Sequence, residues 1–475
     1  MNILAIDQGT SATKAVLAGP GNEVLGSAEI PVTVRAAGDA VETDPEELYQ
    51  SVIAAGRAAL EAARAPADAV ALANQGETVL AWDRRSGRPL TPAIVWQDRR
   101  SAGVSDRLAP EAAWLTEVTG LPLDPYFAAP KMTWLRENIT AEGVVTTTDA
   151  WLLTRLGADY VTDAATASRT LLLDLDAAEW SERACKAFGV DPSALPRVVD
   201  CAGPAGETRG FGAVLPVTGL AVDQQAALVA EHCLEAGQAK CTYGTGAFLL
   251  ATMGGTAVRS TAGLAASIAW RLRGTPTYCL DGQVYTAGAA IGWLMQIGLL
   301  SEAAEIDAVA RGVRDTAGVA FVPALAGLAA PHWRPSARGA FTGLSLATTR
   351  AHLVRAVIDG LAASVALLAR SVAHDLGAGL SSLRVDGGLT RSASLLQAQA
   401  DLLQIPVEVY RTADATALGV AALARVGAGE HGTLSAAVGP LRAETVVEPR
   451  MSPDEAAERL AAFDATVRQV ISATQ

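Results

Sequence analysis

The chain opens on an apolar run, Ile3–Ile6, that breaks at Asp7-Gln8-Gly9-Thr10-Ser11 and resumes at Ala12–Val16. This pattern predicts a buried strand, a tight polar turn and a return strand. After a turn at Gly19–Asn22, Val24–Val34 reads as a further strand. Asp44 before Pro45, with apolar positions at helical spacing through Ala63, predicts a capped helix. Ala69–Ala73 is a short apolar strand ending on Asn74-Gln75-Gly76-Glu77, and Val79–Asp83 and Ala93–Gln97 are strands around a turn-rich link. Leu121–Asn138 starts with turn residues and ends as a helix. Thr148–Leu156 and Ala164–Leu173 read as a mixed helix and hairpin insert, and Pro192–Gly206 as a connection. Val217–Val222 is a strand that ends at Asp223, and Gln224–Leu234 has helical spacing. Buried strands alternating with helices argue for an α/β architecture.

The opening pattern then recurs. Lys240–Leu250, KCTYGTGAFLL, reads as strand, Gly-Thr-Gly turn and strand. Gly282–Leu300 starts a helix, Ala351–His374 forms an amphipathic helix, and Leu383–Asp386 is a strand that breaks into Gly387-Gly388 before a helix from Ser392. Ala415–Ala428 is a helix of small residues. Two hairpins of one layout, in a chain of 475 residues that is too long for a single core, predict two domains related by duplication and facing each other across a cleft. The expected division is 1–230 and 231–475.

Composition narrows the partners. Half of the chain is apolar and 18 % is charged, so it is globular rather than disordered. A net charge of −13 without a basic stripe speaks against nucleic acid. The cysteines Cys185, Cys201, Cys233, Cys241 and Cys279 show no paired spacing, so neither a zinc site nor a disulfide framework is indicated and a cytoplasmic home is expected. No basic segment precedes an apolar run at the N-terminus, and Ala287–Leu300 is too short and too interrupted to span a bilayer, so no membrane is expected.

The polar turns carry the chemistry. Asp7 ends a hydrophobic strand, where a carboxylate is costly unless something cationic compensates it. Gly9 lets backbone N–H groups approach a ligand, Thr10, Ser11 and Thr13 add hydroxyls, and Lys14 adds a charge. Together they suit a phosphate with its Mg²⁺, or else form an ordinary hairpin. A second Gly-containing turn and the Gly-Gly turn before a helix start add two further anion-compatible features. Lys14, Lys131, Lys186 and Lys240 lie in no GxxxxGK[ST] sequence, which excludes a P-loop. Asp223 is either a helix cap or a general base that takes a hydroxyl proton during phosphoryl transfer. Glu77 and Tyr126 suit hydrogen bonds to a polyol, and Trp96 and Phe248 offer apolar faces.

The stretches IDQGTSATKA, NQGETVLAWD, IVWQDRR, DPYFAAPKMTWLREN, DQQAAL, YGTGAF, GAFTGLSLATTRAHLVRAVID and VDGG, in this order, resemble the FGGY carbohydrate kinases. Within that family the chain is most like the glycerol kinases. The resemblance implies a duplicated actin-like, RNase H-like fold with ATP and Mg²⁺ in the cleft, and it is compatible with a homodimer. It implies Asp223 as catalytic base and Asp7 as the organiser of Mg²⁺. Thr10, Ser11, Thr13, Lys14, Thr245, Gly288, Gly292, Gly388 and Ser392 would serve the nucleotide. Gly76, Glu77, Trp96, Tyr126, Gln224 and Phe248 would line the substrate pocket.

The chain also departs from the glycerol-kinase pattern. Gly76 stands where an arginine normally binds a substrate hydroxyl, which opens room for a longer polyol or ketose unless Arg99 or Arg100 swings in. Lys14 stands for an arginine, Gly292 for a glutamine and Ser392 for an asparagine. Ala128 stands where Ser, Thr or Pro is usual. The Gly- and Lys-rich loop before DQQ is absent around 207–215, so regulation by a sugar bisphosphate is not implied. A nucleotide-switched interaction protein is the competing class, and Glu77, Trp96 and Tyr126 in a substrate-binding context argue against it.

Overall fold

The computed structural model describes residues 1–410 and 414–473. Strands β1 (Ile3–Gln8) and β2 (Ala12–Ala18) form the opening hairpin, with Asp7 opposite Lys14. Strand β3 (Val24–Pro31) adds antiparallel to β2. Helix α1 (Pro45–Ala63) starts where the Asp44 carboxylate accepts the Glu46 N–H at 2.9 Å. The chain returns as β4 (Ala69–Asn74) parallel to β1, and β5 (Leu215–Val222) lies parallel to β4. All six residues of β4 are buried, as a central parallel strand covered on both faces requires. A short strand, Glu207–Thr208, closes the edge.

Helix α2 (Asp223–Ala230) leads into the second sheet. Its strands are β6 (Ala239–Tyr243), β7 (Ala247–Gly254), β8 (Ala265–Leu272), β9 (Thr275–Val284), β10 (Leu383–Asp386), β11 (Val407–Val409) and β12 (Thr445–Val447). The spatial order β3-β2-β1-β4-β5 in the first sheet has its counterpart in β9-β7-β6-β10-β11 in the second. In both runs the first two pairings are antiparallel and the last two parallel. The duplication expected from two similar hairpins is therefore present in strand order and sense.

The helices that follow these runs meet each other. Helix α3 (Gly288–Gln296) follows β9, α4 (Arg350–Leu376) crosses back to β10, and α5 (Ala393–Leu403) joins β10 to β11. Helix α6 (Ala415–Gly427) packs on α2 and on the first sheet, sharing a core with Ile3, Ala5, Ala71 and Leu228. A Cβ added at Gly419 would lie 1.8 Å from the Ala226 carbonyl oxygen, so the two backbones touch there and the small residues of α6 are a packing requirement. By length and composition α4 could cross a membrane, but 72 % of its apolar window is buried within the protein, as in a core helix.

Three boundaries differ from the sequence reading. Val24–Val34 is not one strand: β3 ends at Pro31, and Val34–Ala37 joins a separate five-stranded sheet. Gly282 belongs to β9, and the helix starts only at Gly288, whose missing Cβ lets its backbone approach the Gly244 carbonyl oxygen. The helix after Asp223 stops at Ala230, and His232 takes a left-handed backbone (φ 57°) that turns the chain.

Candidate active site

Asp7 sits near the carboxyl end of β1 and Asp223 directly after β5, on the edge of the sheet where open α/β folds bind ligands. Asp223 is not a helix cap. Val222 holds the N-cap position, and Asp223 is the first helical residue, its Oδ1 accepting the Gln224 N–H at 2.6 Å. Burial pushes the Asp223 carboxyl up to about 6, while the Gln224 N–H and the charges of Lys240 and Arg169 pull the other way. Burial and then the Asp223 charge push Asp7 up to about 8, with Lys14 opposing. The Asp223 charge thus discourages ionisation of the buried Asp7 carboxyl, which a nearby cation would relieve.

Thr10, Ser11, Gly76, Glu77, Trp96, Tyr126, Asp223, Gln224, Thr245 and Phe248 line one cleft of about 390 Å³. A deeper cavity of about 30 Å³ shares Glu77, Tyr126, Asp223, Gln224 and Phe248 and adds Arg169, Asp281 and Gln283. Trp96 meets Tyr126 and Phe248 edge-on, with ring centroids 5.7 and 6.1 Å apart, which gives an aromatic wall. The Trp96 indole N–H donates to the Thr10 hydroxyl at 2.9 Å, and that hydroxyl donates to Gln75 Oε1 at 3.2 Å. The buried ammonium of Lys131 donates to three successive carbonyl oxygens, those of Pro125, Tyr126 and Phe127, at 2.9, 2.5 and 2.8 Å. Those bonds fix the backbone that carries the Tyr126 ring.

Glu77 has a left-handed backbone (φ 59°) and is 4 % exposed. Arg169 compensates its charge: Nε donates to Glu77 Oε1 at 2.7 Å, and Nη1 donates to Asp281 Oδ1 at 2.5 Å. Burial still raises the Glu77 carboxyl above its ordinary range, with Arg169 opposing. Sequence reasoning missed Arg169. The available signal was general: a buried glutamate beside Gly76 needs a cation, but the partner is 92 positions away and no local spacing identifies it. Arg99 and Arg100 do not fill the role. Arg100 pairs with Glu42 and Asp98, Arg99 pairs with Asp124 at 3.4 Å, and neither lines the two cavities.

Of the residues expected at the nucleotide, Thr245 and Gly288 lie at the second hairpin. Thr245 is exposed at its tip and takes N–H groups of Ala287 and Ala289 on its carbonyl oxygen, while the Gly288 N–H donates to Gly244 O at 3.0 Å. Gly387 (φ 93°) passes so close to the same hairpin that a Cβ there would lie 2.4 Å from Tyr243 O. Gly292, one turn after Gly288 on α3, and Gly388 both face open space. On the first hairpin, Lys14 pairs with Asp414. Two expected hydroxyls are turned away from the cleft. Thr13 is fully buried and bonds Ser51 Oγ at 2.6 Å, because strand alternation puts it on the face opposite Lys14. Ser392 caps α5 and donates to Asp307 Oδ1 at 2.6 Å, a duty its place before the helix imposes.

The chain matches known proteins along nearly its whole length. Family models for the N-terminal and C-terminal domains of the FGGY family of carbohydrate kinases match residues 2–230 and 239–428. The chain is 44 % identical to a glycerol kinase of Thermus brockianus, with 90 % of each chain covered, and 40 % identical to one of Myxococcus xanthus over 98 % of this chain and 99 % of the other. The fold matches a Plasmodium falciparum glycerol kinase crystallised with ADP, with a TM-score of 0.92, 30 % identity and coverage of 99 % and 98 %. A ligand-bound xylulose kinase from Lactobacillus acidophilus shares the fold (TM-score 0.90, 21 % identity, coverage of 99 % and 98 %). With its duplicated sheets and these family matches along the chain, it belongs to the FGGY family of carbohydrate kinases and is an ATP-dependent kinase.

Proposed function

We propose that the acceptor is glycerol, or a small polyol very close to it, and that Asp223 is the base that activates its hydroxyl. The observation that carries this reading is the Asp223 carboxylate, relieved of capping by Val222 and lining the cavities shared with Glu77, Tyr126, Gln224 and Phe248. The relatives named glycerol kinase support the choice of acceptor. In the reaction the acceptor oxygen gives its proton to Asp223 and forms a bond to the γ-phosphorus of ATP, while the bond from that phosphorus to the bridging oxygen breaks and ADP leaves. Glu77 accepts from a second acceptor hydroxyl, Tyr126 bonds the acceptor as well, and the Trp96 and Phe248 rings cover its C–H groups.

Thr10, Ser11 and Lys14 face the phosphates from the first half, taken as 1–230. Thr245, Gly288, Gly292 and Gly388 face the nucleotide from the second, 231–475. Mg²⁺ fits the donor set. The Asp223 charge raises the buried Asp7 carboxyl, and a divalent ion beside the two would offset that repulsion. When bound there it would neutralise charge on the phosphates, and Asp7 would orient it. Five free, buried cysteines support a reducing, cytoplasmic home.

The test is ADP release measured over glycerol, tetritols, pentitols and ketoses. Glycerol should give the highest kcat/KM. A four- or five-carbon acceptor that surpasses it would reassign the substrate, and ADP release indifferent to every acceptor would reject the kinase reading of the pocket.

A further inference from the structure

Lys240 is fully buried on β6, in the second half of the chain, and its ammonium reaches into the first. Nζ donates to Gln224 Oε1 at 2.7 Å and to Thr242 Oγ1 at 2.8 Å. A buried ammonium is costly unless negative or polar groups surround it. Burial and the Asp386 charge push the Glu231 carboxyl at the far end of α2 well above its ordinary range, and Lys240 and Arg384 pull it back. The contact with Gln224 settles an orientation. An ammonium can only donate, so the atom facing it is the amide oxygen, and the amide Nε2 hydrogens are left for the cleft. Gln224 lines both the cleft and the deeper cavity, and its own backbone N–H holds the Asp223 carboxylate at 2.6 Å.

We propose that Lys240 is a positioning residue for the acceptor: it clamps the Gln224 amide from across the two halves, so that Gln224 offers hydrogen-bond donors to an acceptor hydroxyl beside Asp223. This rests on the reading of the cleft as an acceptor site. Its consequence is that the acceptor pocket is complete only when the second sheet sits against α2.

The experiment is steady-state kinetics with glycerol and ATP on the wild type, Lys240→Met, Gln224→Ala, the double variant and Gln224→Glu, with a thermal melt of each. Lys240→Met should raise the KM for glycerol about tenfold or more, the size of one lost bond to a charged group, with the KM for ATP unchanged. In the Gln224→Ala background the same substitution should add less than about twofold, because the two residues act through one contact. Gln224→Glu keeps the oxygen that Lys240 holds and loses the donors, so it should melt like the wild type and still bind glycerol about tenfold more weakly. Equal effects of Lys240→Met in both backgrounds, or a parallel rise in both KM values, would reduce Lys240 to a structural role and overturn the proposal. If Lys240→Met does not fold, Gln224→Glu decides: an unchanged KM for glycerol means the amide donors are not what the cleft offers. A wild type that phosphorylates no polyol at all would instead sink the acceptor reading itself.

Discussion

Glu77 and Gln224, on the wall proposed for the acceptor, are each held by a buried cation, whereas Gly288, Gly292 and Gly388, proposed for the nucleotide, present backbone without a side chain. The contrast follows from the size of what each side has to bind. A small polyol offers a few hydroxyls and little area, so its site depends on directional groups fixed beforehand. A nucleotide offers phosphates and a broad face, which backbone N–H groups at turns and helix starts can meet once the chain comes close enough. Side-chain charge stabilises one wall, and the absence of side chains shapes the other.

The largest expected effect breaks the charged wall. Arg169→Met leaves Glu77 and Asp281 buried without their partner, and should lower unfolding stability by about 3–5 kcal/mol in a urea titration. Protonation of the stranded carboxyls is then the route to relief, so the loss should shrink at acid pH. Next comes the glycine wall. Gly387→Ala forces a Cβ to within 2.4 Å of Tyr243 O at a left-handed φ of 93°. It should cost about 1–3 kcal/mol and raise the KM for ATP, read by thermal melt and kinetics. Gly292→Ala, whose Cβ meets no protein atom, should leave the melt unchanged and raise the KM for ATP alone.

Smaller effects sharpen the comparison. Asp223, raised from 3.8 to about 6, is a neutral acid below that pH and cannot take a proton. At saturating ATP, kcat/KM for glycerol should therefore fall about tenfold per pH unit below about pH 6 and level off above it. A profile flat down to pH 5 would remove the base from this position. Smallest is Gly76→Ala. Its Cβ meets only the two Val222 methyls, at 3.3 and 4.0 Å, and one methyl is worth about 0.8 kcal/mol, roughly fourfold in KM for glycerol at most.

Much of this division was legible in the sequence. Strand-turn-strand patterns placed both hairpins, Asp44-Pro45 placed the start of α1, and the end of an apolar run placed Asp223 at the cleft. These are local signals, and local periodicity carries them. The cations were not legible. Arg169 finds Glu77 only after the insert between β4 and β5 has folded, and Lys240 was visible as a lysine outside any phosphate motif, without its partner. The hydroxyls of Thr13 and Ser392 are engaged within the protein for a local reason: alternation along β2 and the cap of α5 have prior claims on them. Those claims can be read from position, since Thr13 neighbours Lys14 on a strand and Ser392 immediately precedes a helix.

In the proposed reaction everything turns on Asp223 as the group that takes the acceptor's proton. The direct measurement is turnover of Asp223→Asn with glycerol, alongside ATP affinity by titration calorimetry. The substitution keeps shape and the contact with the Gln224 N–H but removes the base, so kcat should fall by about 10²–10⁴ while ATP binds nearly as before. Turnover within a few-fold of the wild type, with the protein folded, would contradict the account and leave Asp223 as no more than the first residue of a helix.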